Sequence, residues 1–348
     1  MNTNLKQYFP MLRTRSEILK EVSDNPKLSP LFSSWKPSQQ EEFLDFCSGA
    51  RGVKMLYDSF FKEIMNPEYV PKRLEELLSL LLEEQVIIVQ VLPNDSVRIA
   101  DESTLLITDI VVQLEDGSIA NVEIQKIGYM FPGQRCACYS ADLLLRQYKR
   151  VRDKSEKHFS YKDMKSVYTI VLYEKSPEEF KAYPDIYLHR SKQMTDSGLE
   201  LELLQKYLFI PLDIFRKKQH NKPIRNKLDA WLTFFYMDEP ETIIQLITEY
   251  PDFKPMYEEI YELCQNTEKV MGMFSKELQE LDRNTVQYMI DVMQDTINEK
   301  DIALQEKDIA LQEKDVALQK NAVALQEKEI ELQTLREQLA KLQEQNNP

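Results

Sequence analysis

The chain has 348 residues, 43% hydrophobic and 10% aromatic, enough for one or two globular domains with a core. No run of about 18 apolar residues occurs, and residues 1–8 lack a basic patch followed by an apolar stretch, so neither a membrane span nor a secretory signal is expected. The net charge of −14, taken alone, argues against nucleic acid as a partner, but the charge is uneven.

Residues 1–50 read as helical and polar, with a helix entry at Pro37-Ser38-Gln39-Gln40 and one apolar face of Phe43, Leu44, Phe46 and Cys47. The Gly49–Gly52 stretch marks a break, residues 53–64 read as a second helix, and 71–84 as a third with Pro71 at its start, where the missing N–H costs little. Residues 86–92 are β-rich and end at Pro93-Asn94-Asp95, which predicts a strand. Strands follow at 104–114 and 118–125, then a long helix from Pro132 to about Arg152. Another strand is expected over 166–173 and one more within 204–215. From Asn226 the pattern is helical, over about 226–237, 239–249 and 252 to the end.

The end of the chain is a low-complexity repeat. Asp301-Ile302-Ala303-Leu304-Gln305-Glu306-Lys307 recurs with period seven from Asp308 and, with drift, from Asp315 and Ala322. The composition predicts a helix. It does not predict a good coiled coil, because Ile302 and Leu304 lie about 200° apart on a helix. Leu304, Leu311, Leu318 and Leu325 can fill one seam position, yet the position three residues on holds Lys307, Lys314, Asn321 and Lys328. Proper 3-4-3 spacing appears only at Leu332, Leu335, Leu339 and Leu342, so the tail reads as a solvated helix with weak self-association. The expected organisation is a helical segment over 1–50, an α/β domain over 51–220, a helical region over 221–298 and the repeat helix over 299–348.

Cys47, Cys136, Cys138 and Cys264 suggest reduced thiols and a cytoplasmic setting, not a disulfide framework. Three scattered histidines (His158, His189, His220) disfavour a zinc site or a Ser-His-Asp triad, and seven glycines with no phosphate loop disfavour nucleotide hydrolysis. Trp35 and Trp231 read as packing residues. Two basic stretches stand out. Residues 216–227 hold Arg216, Lys217, Lys218, Lys222, Arg225 and Lys227 with no acid, and residues 146–165 hold eight Lys or Arg, among them Lys149 and Arg150.

The informative stretch runs from Thr108 to Gln125. Two strands flank Asp116-Gly117, which predicts a hairpin. A two-residue loop sets Ile110 opposite Glu123, whereas a three-residue loop of Glu115, Asp116 and Gly117 sets Asp109 opposite Glu123, with glycine at the left-handed position. The second register also sorts polarity. One face then carries Ile107, Asp109, Val111, Gln113, Ile119, Asn121, Glu123 and Gln125, which collects nearly every polar group. The other carries the mainly apolar Thr108, Ile110, Val112, Leu114, Ser118, Ala120, Val122 and Ile124. Two facing carboxylates about 4 Å apart repel by roughly 4 kcal/mol at an effective dielectric near 20. A buried pair therefore shares a proton or holds a cation, and without nearby histidine or cysteine ligands an oxygen-liking ion such as Mg²⁺ or Mn²⁺ is the natural choice.

Asp109, thirteen intervening residues, then Glu123-Ile124-Gln125 resembles the core of the PD-(D/E)XK nucleases, and in particular the nuclease-family transposases, which typically have Glu-x-Gln here. The resemblance takes in residues 57–64, 92–95, 133–140 and 146–148, and extends over roughly residues 40–290. It implies a restriction-endonuclease-like α/β fold, a mixed sheet of about four or five strands between helices. It implies a Mg²⁺- or Mn²⁺-dependent DNA endonuclease linked to recombination or transposition, with Asp109 and Glu123 holding the metal. Gln125 then stands where the superfamily's lysine usually does, orienting water without charge. Lys126 points to the opposite face of the strand. A cation can instead come from the following helix, where Arg135, Tyr139, Asp142 and Arg146 recur at helical spacing. Glu63 is a candidate third carboxylate, and Lys149, Arg150, Lys217, Lys218 and Arg225 are candidate DNA contacts. The alternative is a catalytically idle DNA-binding or protein-interaction module displayed by the helical tail. The missing lysine and the acidic balance favour it.

Overall fold

The computed structural model describes residues 5–93, 110–127, 132–154, 159–191, 193–219 and 222–345. Five helices come first: α1 (Arg15–Asp24), α2 (Leu28–Ser34), α3 (Pro37–Ser48), α4 (Asp58–Ile64) and α5 (Pro71–Leu82). Local chemistry sets several of their ends. Thr14 and Glu17 form a reciprocal cap on α1, the Thr14 N–H donating to the Glu17 carboxylate at 2.7 Å. Pro37 and Pro71 occupy the first turns of α3 and α5 as expected. The predicted helix over 53–64 begins only at Asp58. The segment before it is held by tertiary contacts, the Gly52 N–H donating to the Asp238 carbonyl at 2.7 Å.

Strands β1 (Ile88–Val91), β2 (Ile110–Leu114) and β3 (Ile119–Gln125) follow, then α6 (Pro132–Lys154), β4 (Val167–Tyr173), α7 (Glu178–Lys181), β5 (His189–Arg190) and β6 (Gln205–Pro211). Of the strand expected over 104–114, residues 104–109 lie outside the described residues. The sheet has six strands in the order β1-β2-β3-β4-β6-β5, more than the four or five expected, because the two-residue edge strand β5 carries no readable sequence pattern. Pairing is antiparallel from β1 to β3, parallel across β3, β4 and β6, and antiparallel again at β5. The strand expected within 204–215 is β6, and the rest of that window is α8 (Leu212–Gln219). Then come α9 (Lys227–Tyr236), α10 (Pro240–Glu249), α11 (Lys254–Leu263) and α12 (Thr267–Gln345). The single helix expected from 252 onward is thus two, divided at residues 264–266.

One sheet face carries Ile110, Val112, Leu114, Ala120, Val122, Ile170, Leu172 and Ile210 into the main core, against helices from both ends of the chain. The first 50 residues read as polar, yet they supply Phe9, Ile18, Phe43 and Phe46 to this core, and Trp35 and Trp231 are packed there as expected. The opposite face is covered by α6, whose Leu143 packs on Val111, Ile119 and Val167 and whose Cys136 packs on Val171 and Tyr173. The result is a mixed sheet with helices on both faces, the α/β architecture that the resemblance implied.

The chain up to Tyr288 forms one compact unit and residues from Met289 a second. The second is the continuation of α12, and its Ile302, Leu304, Ile309, Leu311 and Leu325 side chains are exposed. No helix among the described residues is long and apolar enough to cross a membrane.

Candidate active site

The hairpin between β2 and β3 closes with a three-residue loop. The Leu114 N–H donates to the Ser118 carbonyl at 2.8 Å and the Gly117 N–H to the Leu114 carbonyl at 2.9 Å. Gly117 has φ +91°, a left-handed conformation that side-chain-bearing residues rarely adopt. The Asp116 carboxylate accepts from the Ser118 N–H at 2.9 Å and from its hydroxyl at 2.6 Å, stiffening the turn. The register is Ile110 opposite Val122 and Val112 opposite Ala120, the one set by the longer loop. Asp109 itself lies outside the described residues.

Alternation along β3 then puts Asn121, Glu123 and Gln125 on the α6 face, as the polarity pattern predicted. The sequence did not announce that this face is also covered. All three are buried, Glu123 with 4% of its surface exposed. The Gln125 side-chain amide donates to Glu123 Oε1 at 3.1 Å, and its carbonyl oxygen has no hydrogen-bond partner among the described residues. Parallel pairing with β4 sets Thr169 beside Asn121, Val171 beside Glu123 and Tyr173 beside Gln125.

The surroundings of Glu123 raise the pKa of their own acids. Burial pushes the Cys136 thiol up to about 12, the Glu123 charge adds to this, and a hydrogen bond with Tyr173 and the Arg135 guanidinium pull the other way. The Tyr173 phenol is pushed up by burial, then by Cys136 and Glu123. Both groups therefore stay neutral at ordinary pH. Cys136 and Tyr173 were not singled out as site residues. Their position follows from the β3–β4 register and from α6 lying across it, neither of which leaves a local mark in the sequence.

The other expected site residues separate into groups. The Arg135 guanidinium lies over the Tyr139 ring, 5.4 Å from its centroid, in the turn of α6 that carries Cys136, and Tyr139 is buried. Asp142 and Arg146 pair with each other at 2.5 Å, and Arg146 also donates to the Pro93 carbonyl at 3.0 Å. Helix α6 runs from Cys136 beside Tyr173 towards Gln147, whose side-chain oxygen accepts from the Lys165 N–H at 2.9 Å. Lys149 and Arg150 therefore lie about 20 Å along the helix from Cys136, at 1.5 Å per residue. Lys217 and Lys218 sit on α8, which packs against the main core on the other side of the sheet. Lys218 donates to the Asp185 carbonyl at 2.6 Å, while Lys217 and Arg225 are exposed. Glu63 is solvent-facing on α4 and paired with Lys269 at 2.7 Å. The structure does not bring it to Glu123; the phenylalanines of its helix enter the main core, on the far side of the sheet.

Lys126 leaves β3 on the face opposite Gln125, as strand alternation requires. It is buried, forms an ion pair with Glu277 of α12, and lies 5.2 Å from the Tyr57 ring centroid. The other Glu277 oxygen accepts from the Asp58 N–H at 2.9 Å at the start of α4.

The Glu123 carboxylate and the unpaired Gln125 carbonyl form an all-oxygen donor set, which suits a hard divalent ion. No group of three His, Cys, Asp or Glu side chains converges among the described residues. In comparisons with known proteins, the family model for PD-(D/E)XK nuclease family transposases matches residues 55–291. No curated protein and no solved structure matches.

Proposed function

From a chain that belongs to the PD-(D/E)XK nuclease family transposases, we propose a metal-dependent DNA endonuclease acting in recombination or transposition. The observation that carries this reading is the buried Glu123–Gln125 pair on β3, with the β2–β3 register set by the Glu115-Asp116-Gly117 loop. Asp109 and Glu123 would hold a Mg²⁺ or Mn²⁺ ion, which when bound supplies an acidified water and offsets charge at phosphorus.

The protein groups have distinct parts in this reading. Glu123 provides a carboxylate with a fixed rotamer, because the Gln125 amide holds one oxygen. The Gln125 carbonyl is left to orient a water. Cys136 and Tyr173, held neutral, avoid competing with Glu123 for a cation. Arg135, stacked on Tyr139, is the nearest candidate on α6 for the charge that Gln125 lacks. Lys149, Arg150, Lys217, Lys218 and Arg225, distributed on both sides of the sheet, would meet phosphates away from the cut. The exposed apolar residues of the tail would give weak self-association. We place the protein in the cytoplasm.

The test is plasmid nicking with Mg²⁺ or Mn²⁺, comparing wild type with Asp109→Ala and Glu123→Ala. Nicking by wild type and a loss of at least 100-fold in both variants is expected. Equal nicking by all three would remove the assigned site. A second reading, a binding module without catalysis, draws on the engagement of Gln125 with Glu123 and on Lys126 facing away. Wild type that binds DNA but cuts under no metal condition would favour it.

A further inference from the structure

The ends of β3 and β4 that carry Gln125 and Tyr173 are joined one residue on, where the Glu174 N–H donates to the Gln125 carbonyl at 2.8 Å. A cleft of about 200 Å³ opens there, lined in part by Glu174, Asp238 and three cations, Arg51, Lys54 and Arg216. Arg51, Lys54 and Asp238 also line an adjoining cleft of about 350 Å³. Crevices at the carboxyl ends of parallel strands are the usual ligand positions of open α/β sheets.

The three cations come from two parts of the chain and are held in place before any ligand arrives. Arg51 and Lys54 lie in the segment before α4, fixed by the bond from Gly52 to Asp238. A side chain at Gly52 would meet Ile243 Cδ1 at 2.4 Å, so this backbone is tightly packed on α10. Arg216 comes from α8 and lies 5.7 Å from the Tyr236 ring centroid; Lys54 lies 5.6 Å from that of Tyr57. The Tyr236 hydroxyl donates to the Glu174 carbonyl at 3.2 Å, tying this wall to the end of β4.

The heads remain open to solvent. The Arg51, Lys54 and Arg216 side chains are 52%, 40% and 41% exposed, and their carboxylate partners are Asp238, Glu42 and Glu239. Asp238 is buried, but Glu42 and Glu239 are about a third exposed, and partly exposed pairs such as Lys54–Glu42 and Arg216–Glu239 add little to stability. They keep long side chains pointed into the cleft and can exchange a carboxylate for a phosphate oxygen. The Arg51–Asp238 pair, at 3.5 Å, is the loosest of the three. Of the two basic stretches that stand out in the sequence, only Arg216, at the start of the second, reaches this cleft. Lys149 is at the far end of α6, whereas this cleft is one residue beyond Gln125.

We propose that Arg51, Lys54 and Arg216 form the phosphate track for the DNA strand being cut, resting on the nuclease reading of Glu123 and Gln125. The backbone of that strand crosses the ends of β3 and β4, and its phosphates replace the carboxylate partners of the three cations.

The test is fluorescence anisotropy with a labelled 30-base-pair duplex in EDTA, so that binding is read without cleavage, at a series of salt concentrations. Each lost phosphate contact flattens the slope of log K against log salt by about 0.9. The R51Q/K54Q/R216Q variant should therefore bind at least 10-fold more weakly at 0.1 M salt, with a slope smaller by about 2–3. If that variant does not fold, R51Q alone serves, with an expected slope change of about 1. Unchanged affinity and slope, in protein whose wild type binds the duplex, would overturn the track and leave the nuclease reading standing. Wild type that neither binds duplex nor nicks plasmid would overturn both.

Discussion

Replacing Glu277 by glutamine should destabilise the compact unit by about 3 kcal/mol. The Lys126 and Glu277 side chains are 8% and 3% exposed, so solvent screens their attraction little. Removing one partner of a buried ion pair typically costs about 3–5 kcal/mol, because the remaining charge keeps its desolvation penalty. Two features place the expectation at the low end. Lys126 keeps its contact with the Tyr57 ring, about 0.5–2 kcal/mol for such geometry. A glutamine carbonyl can also still accept the Asp58 N–H that Glu277 accepts at 2.9 Å. For a unit of this size the urea m-value lies near the upper end of about 1–3 kcal/mol/M, so the midpoint should fall by about 1 M. Urea unfolding followed by tryptophan fluorescence measures it, since Trp35 and Trp231 are both in the main core. The double variant Lys126→Met with Glu277→Gln should recover most of the loss, because no buried charge is left unpaired and the Asp58 N–H keeps an acceptor. A midpoint shift below about 0.3 M for E277Q would mean that water reaches the pair, and the reasoning from burial would fail.

Two further predictions concern titrating groups. Burial holds Cys136 neutral, with its thiol pushed up to about 12, and Cys47 and Cys264 are also buried, while Cys138 is exposed. A thiol reagent at pH 8 should modify one of the four cysteines rapidly, Cys138→Ser should abolish that phase, and the other three should react on unfolding; two fast equivalents would contradict this. The Glu174 carboxyl is raised above its ordinary 4.5 because desolvation outweighs Lys54, Lys126 and Lys175. The folded state then holds a proton that the unfolded chain has released, so this residue's contribution to stability falls as pH rises from 4.5 through the folded-state value. Glu174→Gln should accordingly be more stable than wild type at pH 8, with the gap closing below pH 4.5. A gap of the opposite sign in pH-dependent urea melts would show that the neighbouring lysines dominate.

Sequence alone determined what depends on neighbours along the chain. Asp116-Gly117 between two alternating strands selected the three-residue loop and with it the β2–β3 register, and alternation along β3 selected which of its side chains share a face. That was sufficient to put Glu123 and Gln125 together and Lys126 opposite them. Proline at the starts of α3 and α5 and the period-seven repeat in α12 were equally local signals.

Tertiary structure decided everything that depends on where distant segments return. The β3–β4 register brought Tyr173 beside Gln125, and α6 turned a polar strand face into a buried pocket. The segment before α4 is drawn to Asp238 instead of extending the helix, placing Arg51 and Lys54 opposite Arg216. The two basic stretches that stand out in the sequence end on different sides of the sheet, while one member of the second, Arg216, shares a cleft with Arg51 and Lys54 from far earlier in the chain. The physical reason is range. Turn chemistry and side-chain alternation act over a few residues and are written in consecutive positions. Packing partners are chosen by burial and charge across the whole unit, and no local pattern encodes which partner that is.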